Sequence, residues 1–274
     1  MYRRRPRVDI IISTYNAGAF LEACLANLVA NTKWPHNVII TDDCSTEGRL
    51  LAYLDEIANS HQSTVTVLKS DIRRGFAGNN AWAVEQTKSR YFCLLNQDTE
   101  PQELWLTHMM ETMRSDKNIG IVGAKLLFPP GKDEVVGTIQ HAGVGRTTDG
   151  SPYHPYREKV HDFPQANVLR EVNAVTGACM LVRRKCWDEL EGFDQRYSFG
   201  QFEDCDLCWR ARKLGWRIMV QPEAVLFHFE HGCGELSVHE GHDKNRALLL
   251  ETWHDLEGDE ILFPGGAQAD YKPQ

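Results

Sequence analysis

Tyr91-Phe92-Cys93-Leu94-Leu95-Asn96-Gln97-Asp98-Thr99-Glu100 decides how the rest of this chain is read. Its apolar first half predicts a strand buried on both faces, and that strand runs straight into Asn96, Asp98 and Glu100. In open α/β sheets, ligands bind outside the carboxyl ends of the strands. A carboxylate there is placed to hold a divalent cation against a phosphate. An Asp after a strand can instead cap the next helix, and Pro101 predicts a helix start. The Asn-x-Asp spacing favours the metal.

Working outward, residues 8–125 alternate strand and helix patterns. Val8-Asp9-Ile10-Ile11-Ile12 predicts a strand ending at Ser13-Thr14-Tyr15-Asn16, and Val38-Ile39-Ile40-Thr41 a second one ending at Asp42-Asp43. Phe20, Leu21, Cys24, Leu25 and Leu28 recur at helical spacing, as do Leu50, Leu51, Leu54 and Ile57. Ala77 to Lys88 reads as a further helix, and Ile119 to Val122 as a strand. This rhythm implies right-handed crossovers and an α/β fold, with a mostly parallel, Rossmann-like central sheet and helices on both faces. The pattern breaks between residues 129 and 170, where turn formers predict an extended excursion. Val172 to Val182 then reads as one strand with Gly177 and Ala178 in its middle. Phe202 to Leu214 reads as a helix, and Arg217 to Val220 and Ala224 to Phe227 as two strands. The expected organisation is one domain over 1–258, with halves at 8–125 and 126–258, and a loosely held tail at 259–274.

The 274 residues are 42% hydrophobic and 25% charged, ordinary for a globular protein. A net charge of −8 argues against nucleic acid as the partner. Arg3, Arg4, Arg5 and Arg7 form a small basic arm suited to anionic lipid head groups, although a frayed, solvated terminus explains them as well. No apolar run approaches the roughly 18–20 residues that span a bilayer, so the expected location is cytoplasmic or peripheral at the inner membrane face. The eight cysteines mostly sit in apolar stretches, which predicts buried thiols rather than a disulfide framework.

Several constellations carry candidate chemistry. Tyr15 offers a flat face and Asp43 an acceptor for a base N–H, the two demands of a pyrimidine. Arg73-Arg74-Gly75-Phe76-Ala77-Gly78-Asn79-Asn80 supplies phosphate-neutralising arginines, glycines for close approach and a helix N-terminus that attracts anions. Glu203, Asp204 and Asp206 crowd one helical first turn, where mutual repulsion raises at least one pKa, as a general base requires. Glu203 and Asp206 can pair with Arg210 or other neighbouring donors, which leaves Asp204 as the base. His228 ends an apolar strand and is the second metal candidate; an imidazole ligand shifts preference from Mg2+ towards Mn2+.

In sum the chain resembles an inverting, GT-A-fold glycosyltransferase of family 2, nearest its rhamnosyl- and galactofuranosyl-transferase-like members. The resemblance rests on Ile11 to Asn16, Asp42 to Thr46, Gly75 to Asn80, Leu94 to Glu100, Gly177 to Val182, Gly192-Phe193-Asp194, Glu203 to Arg210 and Pro222 to His228. It implies a nucleotide-diphosphate sugar donor, UDP or dTDP, held by Ser13, Thr14, Tyr15, Asn16, Asp42, Asp43, Arg73, Gly78, Asn79, Asn96 and Gln97. It implies Mn2+ or Mg2+ on Asp98 and His228, with Asp204 as the catalytic base. The acceptor would be a glycan or a lipid-linked molecule, in polysaccharide biosynthesis, with the second half shaping its site. Asn96 stands where many members carry the first acid, and Cys44 replaces a common glycine. The rival readings are a sugar-phosphate nucleotidyltransferase, which should carry a glycine-rich, arginine-containing loop after the first strand, and a silent nucleotide- or glycan-binding module.

Overall fold

The computed structural model describes residues 5–60, 64–129, 137–147, 149–197, 199–230 and 238–254. Arg3, Arg4 and the tail at 259–274 lie outside them.

The first half follows the alternation. Strand β1 (Val8–Thr14), helix α1 (Gly18–Asn31), β2 (His36–Asp42), α2 (Gly48–Asn59), β3 (Val65–Lys69), α3 (Gly75–Glu85) and β4 (Tyr91–Asn96) succeed one another. Then come β5 (Thr99–Pro101), α4 (Trp105–Ser115), β6 (Ile119–Leu127), β7 (Ile139–His141), β8 (Gly145–Arg146), β9 (Pro152–Tyr153) and β10 (Arg170–Glu171). The chain continues through β11 (Cys179–Arg183), α5 (Arg184–Glu189), α6 (Glu203–Lys213), β12 (Arg217–His228) and α7 (Val238–Thr252).

The main sheet runs β10-β12-β6-β11-β4-β1-β2-β3, with β5 added to β12 and β7 to β6. β3, β2, β1 and β4 are parallel, β11 is inserted antiparallel between β4 and β6, and β6 and β12 are again parallel. Successive side chains of a strand alternate faces, so a strand covered on both sides must be apolar throughout. Ile11, Phe92, Leu94 and Met180 accordingly pack on the face covered by α3, α5 and α6. Ile10, Ile12, Cys93 and Leu95 pack on the face covered by α1, α2 and α4.

Four local expectations are corrected. Pro101 does not start a helix: it closes β5, which pairs antiparallel with β12, and α4 begins only at Trp105. Val172 to Val182 is not one strand. Only β11 is, because the Gly177 N–H is turned aside to an α6 carboxylate. The two strands expected after Arg217 are one, β12, with a register shift between Gln221 and Val225. Pro222 lies in that irregularity, where its missing N–H breaks no ladder bond. The 129–170 excursion is partly ordered, by β7, by the β8–β9 hairpin and by a 3-10 turn at Pro164–Ala166.

Of the basic arm, Arg5 lies 4.8 Å from the Trp34 ring centroid, and Arg7 donates to the His36 carbonyl and Asn37 Oδ1. Both are engaged by their own chain. Among the described residues no helix is long and apolar enough to cross a membrane. The described cysteines carry free thiols, Cys205 and Cys208 included.

β6 packs tightly enough to be tested. A Cβ on Gly123 would fall 2.5 Å from Val175 Cβ. Gly123→Ala should therefore lower stability by about 1–3 kcal/mol, as overpacked cores do. Urea denaturation measures this, and an unchanged midpoint would show that the strand and the 172–178 segment are not in contact.

Candidate active site

Register gathers the candidate residues. Ser13 stands opposite both Thr41 and Asn96, and Thr14 opposite Asp42, so three parallel strands end in one row. Much of that row is bound to itself. Thr14 Oγ1 donates to Gln97 Oε1, and Gln97 Nε2 to the Tyr15 carbonyl at 3.3 Å. Asn79 Nδ2 reaches Ser13 Oγ at 2.6 Å and Thr41 Oγ1 at 3.1 Å. Asn16 Oδ1 accepts the N–H groups of Thr46 and Glu47, while Asp42 accepts that of Ser45. These side chains build the floor of the crevice.

Tyr15, Asp43 and Arg73 form its wall. The Arg73 guanidinium lies 3.1 Å from the Tyr15 ring centroid, and its Nε is 3.2 Å from Asp43 Oδ2. Asp43 also accepts the N–H of Arg74 at 2.6 Å and of Gly75 at 2.9 Å. The anion-attracting start of α3 is thus already met by a protein carboxylate, where the sequence suggested a phosphate. Burial raises the Asp43 pKa against these donors. Gly78 is close-packed: a Cβ there would lie 3.3 Å from Gln195 Oε1.

At the end of β4 the chain turns back into β5, and the β5–β12 register sets Thr99 opposite His228. This brings His228 Nε2 to 3.3 Å from Asp98 Oδ1 and 3.5 Å from Asn96 Nδ2. Gln140, on β7, fixes the imidazole. Its Nε2 donates to the His228 carbonyl at 3.2 Å, so its Oε1 faces His228 Nδ1 at 2.7 Å. An amide oxygen only accepts, so the proton of the neutral ring sits on Nδ1. The Nε2 lone pair then confronts a carboxylate that is 6% exposed. Two acceptors so placed call for a cation or a proton between them, and a hydrogen bond from the far ring nitrogen is the usual support for a metal-binding imidazole. The donor set therefore fits a divalent cation. Among the described residues no third His, Cys, Asp or Glu completes the shell.

Asp204, in the first turn of α6, accepts from Gly177 N–H at 2.9 Å and Cys205 N–H at 2.7 Å. The next residue, Ala178, accepts the Asn96 N–H at 2.9 Å. Asp204 is thereby tied through two consecutive residues to Asn96, the end of β4 and two residues before Asp98. Beside His228 a small polar cleft is lined by Gln140, His141, His154, Arg157, Thr176, His228 and Glu230, over Leu126. Burial holds both His141 and His154 below the usual imidazole range, with Asp204 pulling His154 the other way.

Residues 9–190 match the family described as glycosyl transferase family 2. The chain belongs to that family. It is 26% identical over 270 residues to N-acetylglucosaminyl-diphospho-decaprenol L-rhamnosyltransferase of Mycobacterium tuberculosis, covering 90% of this chain and 85% of that protein. It is 28% identical over 235 residues to the O-antigen biosynthesis protein RfbC of Myxococcus xanthus (83% of this chain), and 30% identical over 233 residues to the uncharacterized protein y4gI of Sinorhizobium fredii (82%). It spans only 18% and 24% of those two longer proteins. Its fold matches that of GalNAc-T7 with UDP, GalNAc and Mn2+, at TM-score 0.73 and 16% identity, over 93% of this chain and 49% of that one. It also matches the mannosyltransferase PcManGT from Pyrobaculum calidifontis in complex with GDP-Man and Mn2+, at TM-score 0.62 and 18% identity, over 94% and 66% of the two chains.

In this family 2 member the acidic cluster divides differently from the sequence expectation. Asp206 pairs with Arg210 at 2.7 Å and accepts from Trp253 Nε1 at 3.0 Å. Glu203 does not join them: it is 3% exposed, and its Oε2 has no hydrogen-bond partner. Burial, and then the neighbouring Asp204 charge, push the Glu203 carboxyl well above the usual range. Gln140, His141, His154 and Thr176 are site residues that the sequence reading missed. A Gln-His pair in an aperiodic stretch gives no signal until β7 places it beside His228.

The Glu203 shift has a sign. A carboxyl whose folded pKa exceeds its unfolded value contributes stability below the unfolded value, near pH 4.5, and loses it as pH rises towards the folded value. Glu203→Gln keeps that position neutral. Its melting temperature should rise relative to the unmodified protein between pH 5 and pH 8, the gap closing near pH 4. A gap independent of pH would show that Glu203 is ionised in the fold.

Proposed function

We propose that this chain is a metal-dependent, inverting glycosyltransferase that moves a sugar from a nucleotide-diphosphate donor to an acceptor hydroxyl. The observation that carries the reading is the Nε2 lone pair of His228 aimed at Asp98, at the sheet end that also holds Asp204. Family membership supports it, as do the similarly folded GalNAc-T7 with UDP and Mn2+ and PcManGT with GDP-Man and Mn2+. The rhamnosyltransferase and O-antigen relatives support a glycan or lipid-linked acceptor.

Tyr15, Asp43 and Arg73 take the nucleoside of a UDP or dTDP donor in this reading, and the Arg73–Gly78 segment takes the diphosphate side. Asp98 and His228 hold Mn2+ or Mg2+, which when bound supplies positive charge beside the departing diphosphate. Asp204, steadied by two backbone N–H donors, keeps lone pairs for the acceptor proton. As the hydroxyl loses that proton to Asp204, its oxygen bonds to the anomeric carbon and the bond to the diphosphate oxygen breaks on the opposite face. One displacement inverts the carbon. The cleft between His228 and Thr176 lies on the acceptor side, so part of the 129–170 region shapes acceptor choice.

Two substitutions separate the roles. Asp204→Asn should lower turnover by about 10²–10⁴, the usual contribution of a general base, with nucleotide binding intact. Unchanged turnover removes Asp204 from the chemistry. Asp98→Ala should weaken Mn2+ and nucleotide binding together in calorimetric titrations. A variant that binds both as the unmodified protein does excludes Asp98 as a ligand.

A further inference from the structure

One aromatic ring of the donor segment turns away from the candidate ligand groups and reaches towards the base. Phe76, in the first turn of α3, is partly buried, and its ring centroid is 6.2 Å from that of Phe193. Two glycine backbones close on it. A Cβ on Gly177 would meet Phe76 Cε1 and Cζ at 3.2 Å, and a Cβ on Gly200 would meet Phe76 Cβ at 3.3 Å. Both glycines bear on Asp204. Gly177 donates its N–H to Asp204 Oδ2, and Gly200 lies in the segment that delivers α6. A Cβ on Gly177 would also come within 3.7 Å of Asp204 Cβ, so ring, glycine and base are stacked in direct succession.

The delivering segment does not hold itself. Phe199, Gly200, Gln201 and Phe202 have φ of 60°, 120°, 78° and 71°. Residues with side chains adopt such angles only where neighbours impose them. On one side Asn245 Nδ2 donates to the Gly200 carbonyl at 2.8 Å. On the other, a Cβ on Gly75 would fall 2.9 Å from Phe199 Cα, a contact that only glycine permits. Gly75 is itself anchored by Asp43.

We propose that Phe76 is a positioning residue for Asp204: seated between Gly177 and Gly200, its ring sets the base against the segment that receives the donor. Its own groups carry no proton and accept no metal, so it acts through Asp204 alone. The inference rests on the reading of Asp204 as the base.

The test is a double-mutant cycle on hydrolysis of whichever UDP-, dTDP- or GDP-sugar the unmodified protein turns over with Mn2+. Binding of the matching nucleoside diphosphate is measured by calorimetry alongside. Phe76→Ala should lower kcat roughly 10- to 100-fold, the cost of a misplaced catalytic group. Phe76→Leu should recover part of it, with nucleotide affinity unchanged in both. In the Asp204→Asn background Phe76→Ala should cost nothing further, since a residue that acts through another has no separate effect. The proposal is overturned if Phe76→Ala costs the same factor in that background, if nucleotide affinity falls in step with kcat, or if kcat does not change. An unmodified protein that hydrolyses none of these sugars contradicts the catalytic reading itself, which keeps the two failures distinct.

Discussion

Asp98 and His228 confront each other at 3.3 Å, and the remainder of the site is arranged around that opposition. It exists because a three-residue strand, β5, folds back on the end of β12 in a register that sets Thr99 opposite His228. Gln140 then decides its sign. By bonding both the carbonyl and Nδ1 of His228, it turns the lone pair of Nε2 onto the carboxylate. In the proposed function a cation between the two atoms would meet both acceptors. Asn96 adds an amide beside the pair and no second negative charge. Among the described residues the protein offers one carboxylate and one imidazole here, and in this proposal diphosphate oxygens and water would supply further ligands, as is usual for Mg2+ and Mn2+ at phosphate sites.

The donor side is held in readiness by its own groups. Arg73 covers the Tyr15 ring and reaches Asp43, while Asp43 caps α3. The residues proposed to meet a nucleoside therefore satisfy one another here. A ligand would exchange these contacts for its own, so that binding costs less desolvation than opening an unpaired charge to the crevice would. The same α3 start passes its position through Phe76 to the backbone around Asp204.

Much of this was legible in sequence because it depends on local pattern. Ile10 to Ile12 and Phe92 to Leu95 are unbroken apolar runs, as a doubly covered strand requires, and Asp98 and Glu100 follow the second. What was not legible depends on long-range register or on burial. β5 is too short to show a period and ends in Pro101, which by itself reads as a helix signal. Val172 to Val182 has strand composition, yet Gly177 is diverted by Asp204 from a helix that lies later in the chain. Helical spacing sets Asp204 apart but offers Glu203 and Asp206 the same Arg210. Their environments separate them into a buried carboxyl, an amide-held carboxylate and an Arg210 partner. The His141–His154 contact at 3.0 Å joins residues from an aperiodic stretch that offered nothing to read.

Anomalous diffraction from crystals grown with Mn2+ and UDP, dTDP or GDP tests the account most directly. It predicts one manganese peak within bonding distance of both Asp98 Oδ1 and His228 Nε2, with Gln140 still on Nδ1. A manganese peak away from those two atoms would contradict it, as would an imidazole bonded directly to Asp98 with no metal between them.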